Sequence, residues 1–308
     1  MDSLDIRVPS LAALPLDPIS PRLPISDPFT PTIAARAGIG RAVLDRLHRE
    51  GRVRRLLRGV YVDATVPGSV GLRARALALV IGESHVVVGV TAAWLHGVDL
   101  GAVDAESPTP VEVHGRGRAV TRHRGRTPRY DARDLQVLDG VRCTTPLRTA
   151  LDLGRQLAPD RALAALDGLL GLRQFTHTAL MAEVARFGGQ PGSVQLRELA
   201  ALADARAEGP AESVLRLRWL HGHLPTPTPA LTVGPVSSCG VRLALGLEVH
   251  RFGAVLDGRV TTAALAAVEA SGWRVVVLGA DRVLRSDPGF LTAHLEREFH
   301  LHLLDQVG

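Results

Sequence analysis

The chain contains no lysine and no asparagine, so all 36 of its basic residues are arginine. Lysine and asparagine codons are AT-rich, so a GC-rich genome alone produces this pattern. Arginine abundance therefore identifies nothing, and only the placement of arginines along the chain is informative. Cysteine is nearly missing too: Cys143 and Cys239 stand far apart with no CxxC partner, which argues against a disulfide framework or a structural zinc site and fits a reducing cytoplasm. The opening Met1-Asp-Ser-Leu-Asp-Ile-Arg7 lacks a basic segment followed by an apolar core, and no apolar run reaches the length of a membrane span. Neither export nor membrane insertion is expected.

What remains is an ordinary globular composition. The chain has 308 residues, 46% hydrophobic and 22% charged, enough for two or three cores. The net charge of +5 and isoelectric point near 10.3 favour a polyanionic partner.

The arginines cluster. Seven of them, Arg41, Arg46, Arg49, Arg52, Arg54, Arg55 and Arg58, fall within 18 positions whose only acids are Asp45 and Glu50. Val43, Leu44 and Leu47 supply the apolar stripe of a helix, while Arg41, Asp45, Arg49 and Arg52 share another face. Upstream, Pro31 to Ala37 suits a short helix capped by Thr32, and Gly38-Ile-Gly40 suits a tight turn. Gly51 ends the second helix, and Val53 to Val62 is β-rich enough for two strands turning at Arg54-Arg55 or Arg58-Gly59. Helix, turn, basic helix and hairpin form the layout of a winged helix-turn-helix, with double-stranded DNA as partner. A solvated, charged helix face is the plain alternative.

The pattern divides the chain into a proline-rich arm (1–29), a winged helix-turn-helix (30–64), a mixed α/β module with helices (65–205) and a C-terminal α/β domain (206–308), an α/β (α+β overall) fold class. In the third segment Val70 to Ile81 reads as helix, Ser84 to Gly89 as strand and Thr91 to Gly97 as a capped helical turn. Val111 to His114, Ala119 to Arg124 and Val141 to Thr144 read as strands. Alternation puts Arg122 and Arg124 on one strand face in a stretch without acids from Val113 to Tyr130, either a second nucleic-acid surface or a charge-protected edge. Thr145 and Pro146 open a helix strongly; Ala158 to Leu172, Thr176 to Phe187 and Gly192 to Ala205 continue in helical spacing. The last segment reads as helix (Pro210 to Leu220), strands (Leu231 to Val233, Gly240 to Leu247, Glu248 to Leu256), helix (Thr261 to Ser271), strand (Trp273 to Leu278) and closing helix (Pro288 to Leu304).

Two resemblances follow from these motifs. Arg54-Arg-Leu-Leu-Arg-Gly-Val-Tyr61, Thr91-Ala-Ala-Trp-Leu-His-Gly97 and Thr144-Thr-Pro-Leu-Arg-Thr-Ala-Leu-Asp152 make residues from about Thr32 to Gln174 similar to the AbiEi-like type IV antitoxins of bacteria. The resemblance implies a winged-helix DNA binder, a transcriptional regulator of its own operon, and a cognate toxin as partner. Residues 209–304 resemble the very-short-patch-repair branch of the restriction-endonuclease-like fold, through Ala211-Glu-Ser213, the strand pair Val241 to Leu256, Asp257-Gly258 and Ser271-Gly-Trp-Arg-Val-Val276.

That second family implies carboxylates holding Mg²⁺, which activates water. Here Arg242 and Val255 stand where two of them belong, leaving Glu212 and Asp257. A guanidinium at the metal position opposes a divalent cation, so the domain is read as inactive and no cofactor is expected. Glu248 and His250, at i and i+2 of one strand face, offer a relocated site with Glu212 and Asp257; a solvated strand end is the plainer reading. The competing function is thus a Mg²⁺-dependent DNA endonuclease guided by the winged helix. A weaker third reading makes the C-terminal domain, with Trp219 and Trp273, a docking module for a toxin or a second copy. His294, His300 and His302 are expected on the surface.

Overall fold

The computed structural model describes residues 26–82, 84–100, 111–115, 130–234 and 240–307. The chain divides into two compact units, residues 1–68 and 69–308.

In the first unit, α1 (Pro31–Arg36) starts at Thr30, whose Oγ1 accepts from the Ile33 N–H at 3.3 Å, with Pro31 at the first helical position. The cap is thus Thr30 and not Thr32, because Pro31 takes the first helical position and starts the helix two residues earlier than a Thr32 cap would. A turn through Gly38 at φ +85° leads to α2 (Arg41–Arg49). That helix ends at Glu50, with Gly51 left-handed at φ +70°. The hairpin β1 (Val53–Leu57) and β2 (Val60–Asp63) is antiparallel and turns at Arg58-Gly59, with Arg54 and Arg55 inside the first strand. Phe29 exchanges two backbone hydrogen bonds with Tyr61, so the segment before α1 joins the hairpin. Phe29, Ala34, Ile39, Leu44 and Val53 fill a small core. Val43, expected within it, is exposed.

The second unit begins with α3 (Val70–Ala78), β3 (Val86–Val87), α4 (Gly89–His96) and β4 (Val113–His114). A 3-10 turn (Ala132–Asp134) leads into β5 (Leu135–Leu138) and β6 (Val141–Thr144). These strands form one mixed sheet in the order β4-β3-β6-β5. Strand β5 escaped the sequence reading although Asp139-Gly140, both at positive φ, is the strongest short hairpin signal. Thr91 lies inside α4 and is not its cap. The helix instead begins against the Glu112 carboxylate, which accepts from the Val90 N–H at 2.9 Å. Helices α5 (Pro146–Gln156), α6 (Pro159–Gly171), α7 (His177–Val184) and α8 (Ser193–Leu202) bury Leu and Ala faces in one core.

Next come α9 (Pro210–His221), β7 (Thr228–Val233), β8 (Val241–Leu247), β9 (Phe252–Leu256), α10 (Thr262–Ala270), β10 (Arg274–Leu278), α11 (Ala280–Arg285) and α12 (Pro288–Val307). The sheet order is β10-β9-β8-β7, with β10 parallel to β9. Its two faces belong to separate cores. Trp219 packs in one with residues of α9, α11 and α12, and Trp273 borders the other, against α10, so the two tryptophans are not a pair. The helix α11 was not foreseen. Among the described residues no helix is long and apolar enough to cross a membrane. The architecture is of the mixed α/β class that the sequence implies.

Candidate nucleic-acid interface

Residues 26–68 carry eight arginines against four acids, Asp27, Asp45, Glu50 and Asp63. Leu44 and Leu47 turn one face of α2 inward, which leaves Arg41, Ala42, Asp45, Arg46 and Arg49 exposed on the others. The arginines are held in three ways. Arg41 and Arg46 form long, exposed i,i+4 pairs with Asp45 and Glu50, each at 3.9 Å, a geometry worth a few tenths of a kcal/mol. Arg54 is half-buried and donates to the Val66 carbonyl at 2.8 Å, tying the chain beyond β2 back onto β1. Arg49, Arg52, Arg55 and Arg58 are exposed, with no ion pair among the described residues. So is Arg36 at the end of α1, which the sequence reading overlooked because it lies outside the cluster. Arg122 and Arg124 lie outside the described residues.

The second unit uses arginine differently. Arg148 donates to Asp134 at 2.6 Å and to Asp152 at 2.8 Å, all three side chains less than a tenth exposed. Arg186 reaches Asp134 and Asp131, each at 2.9 Å, and Glu183 at 2.7 Å. Burial alone would push the Asp134 carboxyl up, but the hydrogen bonds and charges of Arg186 and Arg148 outweigh it and hold it below its usual value. Tyr130 lies 4.6 Å under the Arg148 guanidinium, burial with the nearby Asp152 keeps its phenol protonated, and its hydroxyl shares a hydrogen bond with His114 Nδ1 at 2.6 Å. Burial lowers the pKa of His96. Its neutral ring donates from Nε2 to the Thr144 carbonyl at 2.7 Å, joining the Thr91 to Gly97 motif to the Thr144 to Asp152 motif. The latter motif explains itself locally: Thr145 caps α5, and Arg148 and Asp152 pair one turn apart.

Residues 85–202, which hold this network, match the family model of the AbiEi antitoxin C-terminal domain. Across nearly the whole chain the similarity is to two uncharacterized proteins of Mycobacterium tuberculosis, one from strain H37Rv and one from strain CDC 1551. Each is 31% identical over 286 residues, covering 87% of this chain and 99% of the relative. The chain belongs to their family. In the segment that matches the AbiEi-type model, the described residues of the Thr91 to Gly97 and Thr144 to Asp152 motifs build a largely buried frame.

Beyond the AbiEi-type domain, α9 is fastened to α6 by Arg216 with Asp167 at 2.5 Å and by Arg218 with Asp160. Glu212 on α9 is buried, and both of its oxygens are taken by Arg242 of β8, at 2.8 and 3.0 Å. Arg242 also reaches Glu208 at 3.2 Å, and Arg259 grips the same carboxylate. Sequence reasoning missed Glu208 and Arg259, which lie in loops without a motif. Val255 is packed in the core, and Asp257 is exposed, accepting from the Gly258 N–H. These residues do not fit a divalent cation, because a fixed guanidinium already neutralises the buried carboxylate. Glu248 and His250 do not share a strand face: residues 248–251 form the β8–β9 turn, with Arg251 at φ +49°. His302 is buried rather than on the surface, its Nε2 2.7 Å from the His250 carbonyl. His300 is exposed and His294 half-buried.

Proposed function

We propose that the chain is a double-stranded-DNA-binding regulator of the antitoxin type, working in the cytoplasm. Residues 30–64 act as its winged helix, and a cognate toxin is the partner its AbiEi-type domain implies. The observation that carries this reading is the group of exposed arginines without ion pairs, Arg36, Arg49, Arg52, Arg55 and Arg58, within one small helix-turn-helix and hairpin unit. An unpaired guanidinium keeps its charge and its planar donor fork for phosphate or guanine. Helix α2 supplies the element for the major groove, with Arg41, Arg46 and Arg49 nearest bases or phosphates. The hairpin places Arg52, Arg55 and Arg58 on the backbone.

Residues 206–308 act as a nuclease-like scaffold without nuclease chemistry, a reading supported by the grip of Arg242 on Glu212. Fluorescence anisotropy with labelled duplex tests the DNA reading: binding by the intact chain, lost on replacing Arg52, Arg55 and Arg58 together with alanine, is expected. Unchanged affinity in that variant would overturn it. Mg²⁺-dependent plasmid nicking abolished by Glu212→Ala or Asp257→Ala would move the assignment to an endonuclease.

A further inference from the structure

The charges of α2 are arranged against the stability of the helix itself. Its N-cap is Gly40, which offers no side-chain cap, and no acid stands in its first turn. Arg41 instead occupies the first helical position, where the positive end of the helix dipole disfavours a cation. Asp45 follows four residues later, the less favourable order for an i,i+4 pair. The contact between them is 3.9 Å long, with side chains 89% and 56% exposed. Among the described residues Asp45 has no other ionic partner and no hydrogen bond that would explain it as a structural residue. Local rules broken without a structural gain point to a ligand.

Asp45 also sits badly for a surface that meets only phosphate. It lies between Arg41 and Arg49 on one helix stripe, and a carboxylate there repels the polyanion that the flanking arginines attract. The group in a duplex that a carboxylate does recognise is the N4 amino donor of cytosine, presented in the major groove.

We propose that Asp45 is the sequence-discriminating residue of α2, accepting from a cytosine N4 amino group while Arg41 and Arg49 hold the neighbouring phosphates or guanines. This rests on the DNA-binding reading above. Asp45 then does two things at once: it selects a C·G pair and penalises the other bases, because guanine and thymine present only acceptors to its carboxylate and adenine sets its N7 acceptor beside its N6 amino group. The discrimination at that base pair is about five- to 150-fold, the range of a good base contact.

The experiment is affinity selection from a random-sequence duplex pool by the intact chain and by its D45A and D45N variants, with melting curves to verify folding. The wild type is expected to enrich cytosine at one position that D45A leaves random, and D45A to bind unselected duplex more tightly. D45N is expected to move the preference at that position to adenine, which an amide recognises through N6 and N7. A wild type that binds duplex DNA while both variants enrich the same motif would overturn the role of Asp45 alone. A wild type that binds no duplex would overturn the DNA-binding reading itself, and this inference with it.

Discussion

Arginine does opposite work in the two units. In the first, Arg49, Arg52, Arg55 and Arg58 are exposed without ion pairs, around a core of five buried residues. In the second, Arg148, Arg216 and Arg218 are buried among carboxylates, and Arg186 and Arg242 bridge two or more acids each. Since the chain has no lysine, the residue type is constant across the comparison and only its pairing differs. A paired guanidinium is spent on the fold, whereas an unpaired one retains its field and donors for a partner. Pairing therefore identifies the arginines that build the frame, which composition cannot.

The largest expected effect falls on the paired side. Asp134→Ala leaves Arg148 buried without one of its two carboxylates and strips Arg186 of its main acceptor. A loss of about 3–5 kcal/mol is expected in urea unfolding at neutral pH. Arg55→Ala or Arg58→Ala, by contrast, should stay within about 0.5 kcal/mol of the parent. Equal effects of the two kinds of substitution would erase the contrast.

Gly89→Ala probes the same frame through the backbone. Gly89 has φ +60°, and a methyl group there would lie 1.7 Å from Glu112 Oε2, the acceptor at the start of α4. A cost of about 1–3 kcal/mol is expected from chemical denaturation.

Acid sharpens the comparison further. Because the folded Asp134 carboxyl is held below its usual value, its contribution to stability is fully present above the unfolded carboxyl value of about 3.9. It is lost as the pH falls through the lower folded value. Stability curves between pH 7 and pH 2 should show this loss in the parent and a weaker one in Asp134→Asn. A steeper acid loss in the variant would reverse the sign.

Local features were the legible ones. The start of α5 was readable because Thr145 and Pro146 carry their own capping chemistry, and β6 fell on Val141–Thr144 as expected. The boundary between β8 and β9 was not, because no Gly or Pro punctuates Glu248 to Arg251 and Arg251 supplies the left-handed turn residue instead. The buried networks were illegible for a different reason. Arg186 and Asp134 are 52 residues apart, and Arg242 and Glu212 are 30 apart, so no window of sequence contains the pair. In the candidate interface, the sequence supplied the arginine cluster but could not tell the bracing Arg54 from the unpaired Arg55 beside it. That distinction depends on Val66, twelve residues along the chain.

The central claim is that the unpaired arginines of the first unit, and not exposed arginines in general, meet DNA. The most direct test is the salt dependence of duplex affinity for the parent and for two triple variants. One replaces Arg52, Arg55 and Arg58 with alanine; the other replaces Arg142, Arg173 and Arg197, which are exposed in the second unit. The first is expected to flatten the slope of log K against log salt by about three units, and the second to leave it unchanged. Equal slopes for the parent and the first variant would contradict the account.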